Sequence, residues 1–304
     1  MNNPLSNFSG GNCFLPSAHG VTLITANAVL GVFGTFGNLL VFVAVVTNPR
    51  LRRSLNYLLF SLAIADLIVT MVCEPLLIAI LGKITFFNDC AANVERIYKT
   101  LSRVSCFASV AHMAAISVDR FISVAYPLRY KSIMGSRGLK IMVTASWAFP
   151  ITVPILSVSI PDSFPQALLA VGAFTLLYAV IVVFYSLLVA SLVKRRKQRN
   201  KLRAHPSSNA NQSSVEIRVA FTLAIVIGIF TACWFPLMIS LFAAGEPLVK
   251  PQGTVHMWIR TVALSNSAMN FLIYTFRMPD FRQAYVAIWS KMCSLIRGSG
   301  KGNC

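Results

Sequence analysis

The sequence predicts an all-α membrane protein, a seven-transmembrane helix bundle with a short amphipathic helix after the seventh span. The chain of 304 residues is 56% hydrophobic and only 12% charged. A soluble domain of this length cannot hide so much apolar surface from water. The apolar residues also form stretches of about 20 or more, the length that crosses a bilayer as a helix. This composition excludes an ordinary cytosolic enzyme, a disordered chain and a small disulfide-rich secreted domain.

Seven stretches of the sequence are long enough to be spans. They lie at residues 22–47, 56–82, 92–125, 139–160, 167–193, 217–244 and 255–276. The third is interrupted by charged residues, but the run 104–118 is apolar and has small residues at helical spacing. We therefore expect an N-terminal segment over residues 1–21, a transmembrane domain over 22–277, and the amphipathic helix and tail over 278–304.

The basic residues predict the orientation of these spans. The chain has a formal net charge of +18, and its Lys and Arg residues lie mostly in the connections between alternate spans, most densely at 194–203. Basic connections stay in the cytoplasm, so the N-terminus is expected outside the cell. We expect the protein itself to lie in the plasma membrane. This distribution is typical of membrane topology, and we expect no nucleic-acid partner.

Two modifications follow from this orientation. Asn7-Phe8-Ser9 is a glycosylation acceptor on the outer side, which predicts a glycan on Asn7. Cys293 follows the amphipathic helix at the inner face, where a juxtamembrane cysteine is a candidate for palmitoylation.

Short motifs occur in order along nearly the whole chain. They are Gly37-Asn38, Leu62-Ala63-Ile64-Ala65-Asp66, Asp119-Arg120-Phe121, Trp147, Cys233-Trp234-Phe235-Pro236 and Asn270-Phe271-Leu272-Ile273-Tyr274. Together they resemble the signatures of the rhodopsin-like (class A) G-protein-coupled receptors. A very short second outer loop without Cys and a fifth span without Pro are most similar to the melanocortin branch. The sequence departs from the family at Phe271, where Pro is usual, and at Glu95, where Cys is usual.

The resemblance implies a receptor without enzymatic activity that passes an extracellular signal to heterotrimeric G proteins. A polytopic transporter or channel is the alternative, but inverted repeats and matching broken helices are not apparent. A membrane enzyme is disfavoured because the four His residues are scattered and show no metal-ligand spacing.

The resemblance also implies a switch at the inner end of the bundle. Asp119 can hold the guanidinium of Arg120, and Glu216 on the sixth span is a second possible partner that would tie the third span to the sixth. Glu216 could instead be a solvated acid in the first turn of its helix. The other predicted switch residues are Phe230, Pro236, Tyr185 and Tyr274.

Asp66 lies in the middle of the second span with no basic residue within a helical turn, so its partner is another helix, a cation or a proton. The resemblance predicts a sodium site formed by Asp66, Ser109, Asn266 and Asn270, with oxygen ligands that suit a hard cation. A polar pocket filled with water is the alternative. No other cofactor is expected.

The resemblance places the ligand in the outer half of the bundle. The residues expected to face it are Glu74, Glu95, Lys99, Ser102, Arg103, Cys106, Trp234, Leu237, Met238, Leu241, His256 and Arg260. Ser102 stands where amine receptors have Asp, and Leu264 stands where opsins have the retinal lysine, so we expect a peptide or a lipid. The cations Lys99, Arg103 and Arg260 either meet an anionic group of the ligand or neutralise Glu74 and Glu95, and the sequence leaves both open.

Two cysteines lie on the expected outer side, Cys13 and Cys90. The two positions of the family's usual outer disulfide lack Cys, so we predict that Cys13 and Cys90 pair with each other and tie the N-terminal segment over the outer mouth. Two free thiols, or a bond from Cys13 to another molecule, are the alternatives.

Overall fold

The computed structural model describes residues 13–51, 53–158, 163–201, 210–242 and 253–299, and this part of the chain contains helices and no strand. The helices are α1 (Ser17–Thr47), α2 (Ser54–Phe87), α3 (Ala92–Ala125), α4 (Ser136–Val158), α5 (Ser163–Lys201), α6 (Ala210–Phe242), α7 (Thr254–Arg277) and α8 (Pro279–Ser299). Each predicted span corresponds to one of α1 to α7, and the predicted amphipathic helix corresponds to α8.

The helix ends differ from the predicted spans where polar residues extend a helix beyond its apolar run. Helix α3 begins and ends as predicted, whereas α1 begins at Ser17 rather than at residue 22, and α5 continues to Lys201 rather than ending at 193. The helix α8 has 21 residues and is not short. Among the described residues, α1, α2, α3, α5 and α6 are long and apolar enough to cross a membrane individually.

The bundle is arranged around α3. This helix packs against α2, α4 and α5, while α1 packs between α2 and α7, and α6 lies beside α7. In the middle of the bundle, Trp147 Nε1 donates to Ser61 Oγ at 2.9 Å, and the same hydroxyl lies 2.8 Å from His112 Nε2. These contacts give each of three polar side chains inside the bundle a hydrogen-bond partner, and they join α2, α3 and α4.

A widened turn at Val69–Cys73 interrupts the regular hydrogen bonding of α2. Pro75 follows it and has no N–H, and its ring would clash with a carbonyl oxygen one turn earlier in a regular α-helix. A π-type turn accommodates this change. The buried side of α2 at and just after the turn includes Cys73, the last residue of the turn, and Glu74 and Leu77.

A disulfide joins Cys13 to Cys90, with 5.2 Å between the Cα atoms and a sequence separation of 77. It lies in the connection between α2 and α3, where Asn88 and Ala91 both adopt left-handed backbone conformations. The Asp89 carboxylate accepts bonds from the Ala91 N–H at 2.9 Å and the Lys83 ammonium at 3.0 Å, and these donors lower its pKa. We call this end of the bundle the disulfide end, and the end where α3 carries Arg120 the Arg120 end.

Candidate functional site

A buried ion pair joins α3 to α7 near the disulfide end. Arg260 Nη1 donates to Glu95 Oε2 at 2.9 Å, and Arg260 Nη2 donates to the other carboxylate oxygen. Lys99 lies one turn after Glu95, with 3.4 Å between Lys99 Nζ and Glu95 Oε1. The Arg260 guanidinium also lies over the Tyr98 ring, 5.2 Å from its centroid. Only 5% of the Arg260 side chain and 6% of the Glu95 side chain are exposed, so this pair is desolvated and each charge depends on the other.

The sequence left open whether the cations near this end meet the ligand or neutralise the acidic residues. For Glu95 the structure shows the second alternative, because Arg260 and Lys99 pair with it. Arg103 is half-buried on α3 and has no carboxylate partner among the described residues. Glu74 is 1% exposed, and neither of its carboxylate oxygens has a hydrogen-bond partner in the described part of the chain. Among the described residues, one cation and one carboxylate near this end are therefore left without an oppositely charged partner.

The other predicted ligand residues contribute little polar chemistry. The Ser102 hydroxyl donates to the Lys99 carbonyl oxygen at 3.2 Å, Cys106 is buried, and His256 is half-buried with no partner for Nδ1 within the described ranges. Leu237 and Met238 are partly buried against the core around Trp234. The side chain of Leu241 lies outside the described residues.

Tyr98 was not predicted as a site residue. It is 4% exposed and provides the ring beneath Arg260. The sequence could have indicated Tyr98 as a site residue, because it lies one turn before Ser102 on α3 and residues spaced by one turn share a helix face.

The predicted sodium site is partly assembled. Asn270 Nδ2 donates to Asp66 Oδ2 at 2.8 Å, and Ser267 is a second hydrogen-bonding neighbour of this carboxylate. Asp66 Oδ1 and Asn266 Nδ2 are buried and lack a partner in the described part of the chain. Ser109 is buried on α3, but no hydrogen bond between it and Asp66 is present. A free carboxylate oxygen suits a cation, whereas the Asn266 amide nitrogen does not.

Ser267 is a contributor that the predicted sodium set did not include. Its carbonyl oxygen accepts a bond from Asn38 Nδ2 at 3.0 Å, which links α7 to α1. The sequence placed Ser267 beside Asn266 in the same motif, but adjacent residues on a helix point in different directions, and only the packing shows which of them face Asp66.

At the Arg120 end, the side chains of Asp119, Arg120 and Tyr130 form hydrogen bonds with one another. Arg120 Nε donates to Asp119 Oδ2 at 2.8 Å, and Arg120 Nη2 contacts the same carboxylate. The Tyr130 hydroxyl donates to Asp119 Oδ1 at 2.8 Å and accepts from Arg120 Nη2 at 3.3 Å. Burial and the Asp119 charge raise the pKa of Tyr130. Asp119 and Arg120 are thus together as predicted, and Tyr130, on a single helical turn after α3, is an additional partner.

The proposed pairing of Arg120 with Glu216 concerns a side chain outside the described residues. Tyr185, predicted to approach Arg120 when helices separate, here donates to the Ala220 carbonyl oxygen at 3.3 Å and so connects α5 to α6. Tyr274 is buried, and its hydroxyl has no partner among the described residues.

Three aromatic rings of α5 and α6 pack against one another inside the bundle. The Phe230 ring lies between Phe174, at a centroid distance of 6.3 Å, and Trp234, at 6.0 Å. Phe230 is fully buried and Trp234 is 3% exposed. Pro236 lies inside α6, two residues after Trp234, and it has no N–H to donate within the helix, which favours a kink at this point.

The described residues contain no group of three or more His, Cys, Asp or Glu side chains that could hold a metal ion. In the described part of the bundle, the polar side chains form ion pairs and hydrogen bonds between helices, and some buried polar atoms have no partner there.

Comparisons with known proteins agree with this architecture. The model of the seven-transmembrane receptors of the rhodopsin family matches residues 37–166 and 159–274. The chain is 26% identical to melanocortin receptor 4 of Danio rerio, with 88% of this chain and 84% of the relative covered. It is 28% identical to human melanocortin receptor 3, with 84% and 81% covered.

A solved structure supports the fold. Squid rhodopsin superimposes with a TM-score of 0.78 at 18% identity, covering 97% of this chain and 91% of the rhodopsin chain. The seven-helix bundle, the motifs around Asp66, Arg120, Trp234 and Asn270, and the match over most of the sequence lead to one conclusion: this multi-pass membrane protein belongs to the rhodopsin family of seven-transmembrane receptors and is similar to the melanocortin receptors.

Proposed function

We propose that this receptor sits in the plasma membrane with its N-terminus outside and passes the binding of a peptide or lipid to heterotrimeric G proteins, with no enzymatic activity. The disulfide end then faces the exterior, and the Arg120 end, near the basic connections, faces the cytoplasm. The observation that carries the proposal is the Arg120–Asp119–Tyr130 contact. It holds the charged residue of the family motif inside the bundle at the end where the G protein binds.

The ligand is proposed to contact Arg103 through an anionic group. Arg260 and Lys99 are already engaged by Glu95, so Arg103 is the half-buried cation on this helix face that a carboxylate or phosphate can neutralise. The relatives are named for melanocortins, which are peptides, and this favours a peptide over a lipid. Glu74 is left for a cationic or hydrogen-bonding group of the same ligand.

A sodium ion at Asp66 is a further part of the proposal. Asp66 Oδ1 is buried and has no hydrogen-bond partner among the described residues, and it would be the charged ligand of the ion. When bound, sodium would neutralise this carboxylate within the bundle. Asn270 and Ser267 hold the other oxygen and so orient the carboxylate.

Loading of a GTP analogue onto G proteins in membranes that contain the receptor tests the signalling function. Membranes with the wild-type chain are compared with Arg120→Ala at equal surface level, after activation by a hit from peptide and lipid libraries. We expect loading with the wild type and none with Arg120→Ala. Arg96→Ala, an exposed arginine on the same helix toward the disulfide end, is the matched control and should load normally. Full loading with Arg120→Ala would contradict the proposed coupling.

The same assay tests the ligand contact. Arg103→Gln should raise the agonist concentration needed for half-maximal loading by at least tenfold, because a charged hydrogen bond contributes about 1.5–3 kcal/mol. Neutralising the anionic group of the agonist should have the same effect and should add nothing in Arg103→Gln. Additive losses would show that Arg103 and this group do not meet.

A further inference from the structure

A lateral groove separates α1 from α8 on the surface of the bundle. Its volume is about 580 Å³. Most of its lining is apolar, and the lining residues are Phe36, Leu39, Leu40, Val43, Thr47, Asn48, Pro49, Ala284, Ala287, Ile288 and Lys291. Phe36 is 52% exposed and Leu39 is 43% exposed. The groove thus presents a contiguous apolar surface that the bundle itself does not cover.

The length of the groove matches one leaflet of a membrane. From Phe36 to Thr47 the lining follows α1 over about 16 Å, at 1.5 Å per residue. The hydrocarbon core of a bilayer is about 30 Å thick, so one leaflet contributes roughly 15 Å. A whole helix of that length and about 10 Å in diameter would fill roughly 1,300 Å³, more than twice the volume present. The groove therefore fits an extended hydrocarbon chain better than a helix of another protein.

The lining of the groove contains one charged residue, Lys291 on α8. The lining residues of α1 extend to Thr47, the last residue of that helix. Lys291 is exposed and has no carboxylate partner among the described residues. A lysine ammonium in an otherwise uncharged lining is complementary to a phosphate or carboxylate of a lipid headgroup.

We propose that this groove binds an anionic glycerophospholipid of the inner leaflet, with an acyl chain along α1 and the headgroup on the Lys291 ammonium. The inference rests on the orientation proposed above but not on the extracellular ligand or the G protein. The lipid fills the space between α1 and α8 and joins the amphipathic helix to the bundle.

Lipid retention by the purified full-length chain tests the site. The protein is equilibrated with equal amounts of phosphatidylserine and phosphatidylcholine, transferred to detergent, and analysed by native mass spectrometry. The wild type should retain one phosphatidylserine roughly fivefold more often than phosphatidylcholine, the factor expected for one lysine near a membrane surface. Lys291→Gln should keep a bound lipid but lose this preference.

Three further variants separate binding in the groove from general effects of charge. Ala287→Trp should fill the groove and remove the bound lipid of either kind, and Leu39→Trp does the same from α1 if the first variant does not fold. Arg282→Gln is the matched control, because residue 282 lies half a helical turn from Lys291 in projection, on the opposite side of α8. It should retain phosphatidylserine as the wild type does.

Several outcomes would overturn the proposal. They are equal retention by the Trp variants, an equal loss of preference in Arg282→Gln, and a sterol retained in place of phosphatidylserine when cholesterol is included. A cross-linked dimer through Ala287→Cys that excludes lipid would show that a second copy of the chain occupies the groove. Signalling does not enter any of these measurements, so they remain decisive if the proposed coupling fails.

Discussion

The contact between Gly37 on α1 and Phe271 on α7 gives a prediction that can be worked through from the structure. A Cβ atom added at Gly37 would lie 1.9 Å from Cδ1 and 2.2 Å from Cγ of the Phe271 ring. Carbon atoms pack at about 3.5–4.0 Å, so the ring would have to move by more than 1 Å. Phe271 is 6% exposed and packs against Phe33 at a centroid distance of 5.0 Å. The ring therefore has little free space.

The expected cost follows from these distances. Overpacking a core costs about 1–3 kcal/mol, and the required displacement puts Gly37→Ala at the upper end. Alanine is better than glycine inside a helix by about 1 kcal/mol, which offsets part of this. The net destabilisation is about 2 kcal/mol, corresponding to a decrease of about 4–8 °C in melting temperature.

Thermal unfolding of the purified receptor in one detergent measures this effect. Gly228→Ala is the control, because nothing lies within 4 Å of a Cβ atom added there, and it should leave the melting temperature unchanged or raise it. Phe271→Ala removes the obstructing ring, so adding Gly37→Ala to that variant should cost nothing. Equal decreases for Gly37→Ala in the wild type and in Phe271→Ala would refute the explanation.

Three other predictions concern the polar contacts. Arg260→Gln should destabilise the receptor by about 3–5 kcal/mol because it leaves Glu95 buried without its partner. Lys99→Gln should cost less than about 1 kcal/mol because 47% of the Lys99 side chain is exposed. Similar melting temperatures for the two variants would contradict this difference. Cys90→Ser should lower the free energy of unfolding by about 4 kcal/mol, the loop-closure contribution expected for cysteines 77 residues apart. Non-reducing peptide mapping of the wild type should yield a linked Cys13–Cys90 peptide. Alkylation of both thiols without reduction would exclude the bond. Asp119→Asn should raise G-protein loading without agonist because the Arg120 guanidinium loses its charged partner. Tyr130→Phe should act in the same direction to a smaller extent. Unchanged loading without agonist in both variants, at equal surface expression, would show that the contact does not restrain the receptor.

The sequence by itself determined which segments cross the membrane. Each backbone polar group in a bilayer must be satisfied within its own helix, so the length of an apolar run is enough to locate a span without knowledge of its neighbours. The motifs determined the family for a similar reason, since Asp66, Arg120 and Trp234 were recognised within short local patterns. The neighbours Asp119 and Arg120 could be paired because they are adjacent in the chain.

The tertiary structure decided which distant residues meet. Glu95 could be neutralised by several cations, and only the packing of α3 against α7 selects Arg260, 165 residues away. The same applies to Ser267 beside Asp66, to Tyr130 on Asp119 and to the Phe271 ring over Gly37. A helical pattern fixes the direction of a side chain relative to its own axis, but not the rotation of that helix against the others. That rotation depends on how all the helix surfaces pack together. Among the described residues, it leaves Arg103 without a carboxylate partner and the Glu74 carboxylate without a hydrogen-bond partner.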